Sequence, residues 1–181
     1  MSRLNVVETN TANAEQKALL EGIQAQMGMV PNFLKVLANS PDALRAFLGL
    51  HGIASSGSLN AATRERIALV LAQQNSCQYC VSAHTAIGRK AGLSNEEIHA
   101  ARSGTSSDKR AAAAVQFAEQ LMEKRGEVTN LDLMAVRAAG YSDAELVEII
   151  THVGMNFFTN LLGKASQVAI DFPKVELHAV A

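Results

Sequence analysis

Apolar residues in this chain recur at three- and four-residue spacing from one end to the other, and that pattern confines it to helices. From Ala14 to Met27, Leu19, Leu20, Ile23 and Met27 share one face, and Gly28 ends the run. Pro31 starts a short helix carrying Phe33, Leu34 and Leu37. Ser40-Pro41 marks the next start, with Ser40 as N-cap and proline at the first helical position. That helix runs through Leu44, Phe47, Leu48 and Leu50 to the turn Ser55-Ser56-Gly57-Ser58. A helix from near Asn60 presents Ile67, Ala68, Val70 and Leu71 and breaks at Gln74-Asn75-Ser76. Gln78 to Ala91 is helical again and stops at Gly92. Ser94 with Glu97, and Ser142 with Glu145, read as capping boxes. Between them Asp108 opens a helix ended by Gly126, and Thr129 or Asn130 caps a short one to Ala139. The helix opened by Ser142 is predicted to run to about Ala169, before Asp171-Phe172-Pro173. No stretch alternates with period two, so no strand is expected.

The expected fold class is therefore all-α: a bundle of antiparallel helix pairs. At 181 residues, one helical domain over 1–173 is expected, with its motif-bearing core at 60–92 and a tail at 174–181 that is an arm or disordered. Aromatic residues make up only 4% and tryptophan is absent, so Ala, Leu, Val and Ile must build an interior in which helices approach closely. A net charge of −1 carries no basic footprint for nucleic acid. No apolar run approaches the ~18 residues that span a bilayer, and no signal-peptide pattern is present, so a cytoplasmic protein is expected.

Two cysteines, three positions apart, are the most informative chemistry: Cys77-Gln78-Tyr79-Cys80-Val81-Ser82-Ala83-His84. A structural disulfide closing so short a loop gains little, and a reducing cytosol opposes it. At the start of a helix, however, both sulfurs lie at the end whose partial positive charge favours thiolate over thiol. His84 follows Cys80 by one turn, placed to accept or return a proton. If Asn75-Ser76 turns the chain between antiparallel helices, Glu65 lies ten residues before the turn and His84 nine after it, at nearly equal depth. Carboxylate, imidazole and thiol then stand in the order that nucleophilic catalysis needs.

Each residue has a plainer explanation. Glu65 lies in Arg64-Glu65-Arg66 and suits a surface ion pair; His84 alone suits a structural histidine; two cysteines alone suit apolar filler. Zinc is a further use for Cys77, Cys80, His84 and Glu65, although no other cysteine exists and His51, His99, His152 and His178 are scattered along the chain. A non-catalytic helical scaffold binding a partner or a metal is the rival from another class. The convergence of four residue types favours thiol redox chemistry.

The same residues resemble the AhpD-like alkylhydroperoxidases of the carboxymuconolactone decarboxylase superfamily. The core is Glu65, Cys77, Cys80 and His84 in this spacing, followed by Gly88-Arg89-Lys90-Ala91-Gly92-Leu93-Ser94. Gly28-Met29-Val30-Pro31-Asn32, Asn156-Phe157-Phe158-Thr159-Asn160 and Ile170-Asp171-Phe172-Pro173 also look like segments of that family. The resemblance implies an all-α trimer or hexamer and a peroxidase or dithiol–disulfide oxidoreductase without a cofactor. It further implies that Cys80 attacks the peroxide and Cys77 resolves the sulfenic acid, with His84 and Glu65 relaying the proton. An external dithiol or protein reductant would then attack the more accessible Cys77. Decarboxylase members lack this cysteine core, which argues against lactone decarboxylation.

Two departures stand out. Tyr79 occupies a place that holds histidine in some members, and Gly163-Lys164 stands where an Asn-His pair is common. Along the last helix, His152, Asn156 and Asn160 recur every four residues and form one polar stripe. The stripe, with Tyr79, is a candidate pocket wall or a subunit contact; the plainer expectation is packing with satisfied polar groups.

Overall fold

The computed structural model describes residues 2–178. Among them it has nine helices and no strand: α1 (Ala14–Met27), α2 (Asn32–Leu37), α3 (Pro41–Ser55), α4 (Ala61–Gln74), α5 (Gln78–Lys90), α6 (Asn95–Arg102), α7 (Lys109–Glu123), α8 (Asn130–Ala138) and α9 (Asp143–Ser166). None is long and apolar enough to cross a membrane.

Cap chemistry sets most starts. Asn13 and Gln16 form a reciprocal capping box on α1, as do Thr129 and Asp132 on α8, and Ser142 and Glu145 on α9. Ser40 caps α3 ahead of Pro41, Asn60 caps α4 and Asp108 caps α7. Ser94 caps α6 by accepting from the Glu97 amide, but the expected return bond is not made. The Glu97 carboxylate turns inward to Arg66, Ser106 and the Ser107 amide. A charge-assisted partner outcompetes the cap amide. The last helix also stops three residues short of expectation, at Ser166, because Gln167 adopts a left-handed conformation (φ 47°).

The centre of the bundle is α4, packed against α5, α6, α7 and α9. Ile67, Leu69, Val70, Leu71 and Ala72 are all buried, so α4 is enclosed on several sides, unlike a surface helix with one apolar stripe. One core unites α4 with α7, α8 and α9 around Phe117 and Ile149. A second gathers α1, α2 and α3 onto the start of α5, with Cys77 and Cys80 inside it. Between α4 and α5, Ser76 takes a left-handed backbone (φ 53°), which returns the Cys77 amide to the Ala72 carbonyl at 2.9 Å and makes the pair antiparallel.

The segment beyond Pro173 lies against α5 and its neighbours as far as His178; residues 179–181 of the expected tail lie outside the described residues. The Val175 amide donates to Ser82 Oγ, Gln78 donates to Glu176, and Arg102 donates to the Glu176 carbonyl.

Candidate active site

Cys77 is the N-cap of α5: its Sγ accepts the Cys80 amide at 3.3 Å and is bonded to Cys80 Sγ. With Cα atoms 5.2 Å apart, one helical turn suffices to close the disulfide. Further along α5, His84 Nδ1 lies 2.8 Å from Glu65 Oε2, so the antiparallel packing of α4 and α5 brings acid and imidazole together. Both side chains are mostly buried, at 22% and 16% exposure. The bond fixes the ring and leaves Nε2 as the nitrogen available for chemistry.

Cys80 and His84 open onto a cavity of about 600 Å³. Its walls are mainly apolar, drawn from α1 (Leu19, Ile23), α2 (Phe33), α3 (Leu48) and α5 (Ile87), with Phe172 at one edge. Polar groups are few: Cys80, His84, His51, Tyr79, Asn156, Thr159 and Gln26. A volume and lining of this kind suit a small organic molecule with one polar end.

Of the expected residues, Cys80, His84, Tyr79 and Asn156 line the cavity, while Cys77 and Glu65 stand behind it. Tyr79 donates to Asp171 Oδ1 at 2.8 Å and accepts the Phe33 amide at 3.3 Å. Burial and the bond to Asp171 push its phenol pKa far up, so Tyr79 stays protonated and clamps α2, α5 and the Asp171 segment together. The polar stripe of α9 divides. Asn156 faces the cavity and donates to the His152 carbonyl, and Asn160 accepts from Asn75 at 2.9 Å. His152 is buried away from the lining, and its Nε2, like Asn160 Nδ2, has no partner among the described residues, so the stripe is not the fully satisfied packing expected of it.

Two expectations need correction. Cys77 is not the accessible sulfur: it is 1% exposed, whereas Cys80 is 4% exposed and faces the cavity. The remaining histidines are not simply scattered either. His99 and His178 stack with ring centres 4.9 Å apart, and His51, from α3, shares the cavity with His84. Burial lowers the His51 pKa, the Glu65 charge opposes that shift, and its ring packs on Phe47 at 5.8 Å. Sequence reasoning passed over His51 because it is 14 residues from Glu65 along the chain and belongs to no local motif. Among the described residues no three His, Cys, Asp or Glu side chains form a metal-binding group.

The carboxymuconolactone decarboxylase family model matches residues 41–123, which include both cysteines, His84 and Glu65. A peroxidase-related protein with an alkylhydroperoxidase AhpD core, from Ralstonia eutropha JMP134, matches with a TM-score of 0.84 at 25% identity over 94% of this chain and 92% of that one. The family match over 41–123 and the shared fold support the AhpD/carboxymuconolactone decarboxylase superfamily. A peroxidase-related protein from Silicibacter sp. TM1040 shares the fold with a TM-score of 0.79 at 24% identity, covering 93% of this chain and 94% of that one. So does a cysteine-to-alanine variant of the debrominase Bmp8 in complex with 2,3,4-tribromopyrrole, with a TM-score of 0.78 at 20% identity and 94% of each chain covered. The Bacillus subtilis (strain 168) protein YdfG is 28% identical over 60 residues, a match spanning 33% of this chain and only 41% of YdfG.

Proposed function

We propose that this AhpD-like protein is a thiol-dependent peroxidase, or a dithiol–disulfide oxidoreductase, cycling Cys77 and Cys80 between dithiol and disulfide. The observation that carries this reading is a bonded sulfur pair whose Cys80 opens onto an apolar cavity beside His84, with His84 held by Glu65. In the dithiol state His84 Nε2 takes the Cys80 proton while Glu65 stabilises the imidazolium. The Cys80 thiolate attacks the distal peroxide oxygen, the O–O bond breaks, and the leaving alkoxide is protonated to the alcohol. Cys80 sulfenic acid remains, and Cys77 attacks it, expelling water and closing the disulfide. A dithiol or protein reductant returns the pair to the starting state.

Peroxide consumption with a defined dithiol tests the proposal. Cys80→Ser should abolish turnover, and Cys77→Ser should leave a sulfenic acid that a dimedone probe labels. Full activity in both variants would remove the proposal. Turnover of a brominated heteroaromatic compound instead of peroxide would assign the pair to debromination, the activity for which Bmp8 is named.

A cytoplasmic trimer or hexamer belongs to the same proposal. Val147, Ile150, Phe157 and Leu161 form an exposed apolar stripe along α9, with Leu131 and Met134 of α8 also exposed. A second copy of the chain is the occupant we propose for that face, and sedimentation of the purified protein measures it; a monomer at micromolar concentration would refute it.

A further inference from the structure

The two sulfurs of the disulfide are not equivalent. Cys77 is walled in by α9: a Cβ on Gly163 would lie 2.9 Å from Cys77 Sγ and 3.4 Å from Cys80 Sγ, so the helix backbone approaches the pair as closely as glycine allows. Gly22, Gly49, Gly52 and Gly154 are also helical but have nothing within 4 Å of a Cβ. Glycine inside a helix costs roughly 1 kcal/mol relative to alanine, and contact with the sulfurs explains the one in this place. Val168 and the terminal segment's Val175 and Leu177 belong to the same core as Cys77. Only Cys80 reaches the cavity.

Electronic character follows the same division. Cys77 Sγ accepts the Cys80 amide at the positive end of α5, which stabilises a thiolate there. Cys80 Sγ instead has the Thr159 carbonyl at 3.9 Å, so its ionisation rests on proton transfer to His84. Exchange proceeds fastest when the attacked sulfur is accessible and the departing one forms a stable thiolate.

We infer that the reductant attacks Cys80 inside the cavity, with Cys77 as leaving group, so that oxidation and reduction use the same sulfur and the same entrance. This rests on the redox reading above and calls for a reductant slender enough to enter an apolar cavity. One thiolate of the dithiol bonds to Cys80 as the Cys77–Cys80 bond breaks, and the electron pair leaves on Cys77. The second thiolate then attacks the reductant's own sulfur in the mixed disulfide and expels Cys80 thiolate. The dithiol is oxidised by two electrons, the protein disulfide is reduced by two, and the reductant's two protons pass to Cys77, His84 or water.

The test mixes oxidised protein with excess 2-mercaptoethanol, quenches with acid, alkylates free thiols and locates the adduct by fragment-ion sequencing. The adduct is expected on Cys80; an adduct on Cys77 overturns the inference and leaves the redox reading intact. In single-cysteine variants, the thiol left by Cys77→Ser should react with 5,5′-dithiobis(2-nitrobenzoate) about tenfold or more faster than that left by Cys80→Ser. Equal rates, or the reverse order, overturn it. Thioredoxin should reduce the folded protein no faster than dithiothreitol; a faster reaction argues for attack at an exposed surface and against the cavity route. If dithiothreitol leaves the disulfide of the folded protein intact, the redox reading fails and the inference falls with it, a result distinct from the others.

Discussion

Replacing Glu65 by Gln keeps the shape of the side chain and removes the charge that holds His84. The Nδ1–carboxylate bond is 2.8 Å long, and its side chains are 22% and 16% exposed, so water screens the pair only in part. A hydrogen bond to a charged group contributes ~1.5–3 kcal/mol, and partial exposure places this one in the lower half, at ~1.5–2 kcal/mol. Because the bond strengthens as His84 becomes imidazolium, most of that energy is felt when Cys80 gives up its proton. At about 1.4 kcal/mol per tenfold in rate, Glu65→Gln should lower kcat/KM for an organic hydroperoxide by about 10- to 30-fold. The assay is peroxide consumption with dithiothreitol as reductant, beside iodoacetamide alkylation of Cys80 in the Cys77→Ser background, which should slow by a similar factor near neutral pH. Thermal unfolding of the variant confirms that the fold survives. Rates within twofold of the parent in both assays, from a folded variant, would refute the relay.

Gly163→Ala should destabilise the oxidised protein relative to the reduced one, because the bonded Cys77 sulfur is fixed 2.9 Å from the new methyl while a free Cys77 can rotate away; the expected difference is ~1–3 kcal/mol between urea unfolding of the two forms. Tyr79→Phe removes the hydroxyl that joins Asp171 to the Phe33 amide and should cost ~1–2 kcal/mol in urea unfolding at neutral pH. Burial opposes ionisation of Glu97, but hydrogen bonds from Ser107, Ser106 and Arg66 prevail and hold its pKa at about 2. The folded value lies below the unfolded one, so the unfolded state takes up the proton first as pH falls. Glu97 therefore stabilises the fold above the usual carboxylate range, and that contribution is lost as pH drops towards about 2; urea midpoints measured across this window should fall less steeply for Glu97→Gln.

The sequence by itself determined the helices and the linear core of the site. Capping residues such as Ser40, Asp108 and Ser142, and stop signals such as Gly28 and Gly92, act within a few residues of themselves, so their effects can be read along the chain. Glu65 and His84 were also legible, because one short turn between two helices makes depth a matter of counting. Tertiary structure decided everything that required distant segments to meet. It turned the Glu97 carboxylate from its cap towards Arg66, 31 residues away, and carried His51 into the cavity beside His84. It set Asp171 on Tyr79 and drove Gly163 against Cys77, so that the sulfur expected to be open is buried and Cys80 alone faces the cavity. Caps and periodicity act over one or two turns of backbone, whereas the exposure of a sulfur depends on which helix packs over it, and α9 reaches Cys77 from more than 80 residues away in sequence.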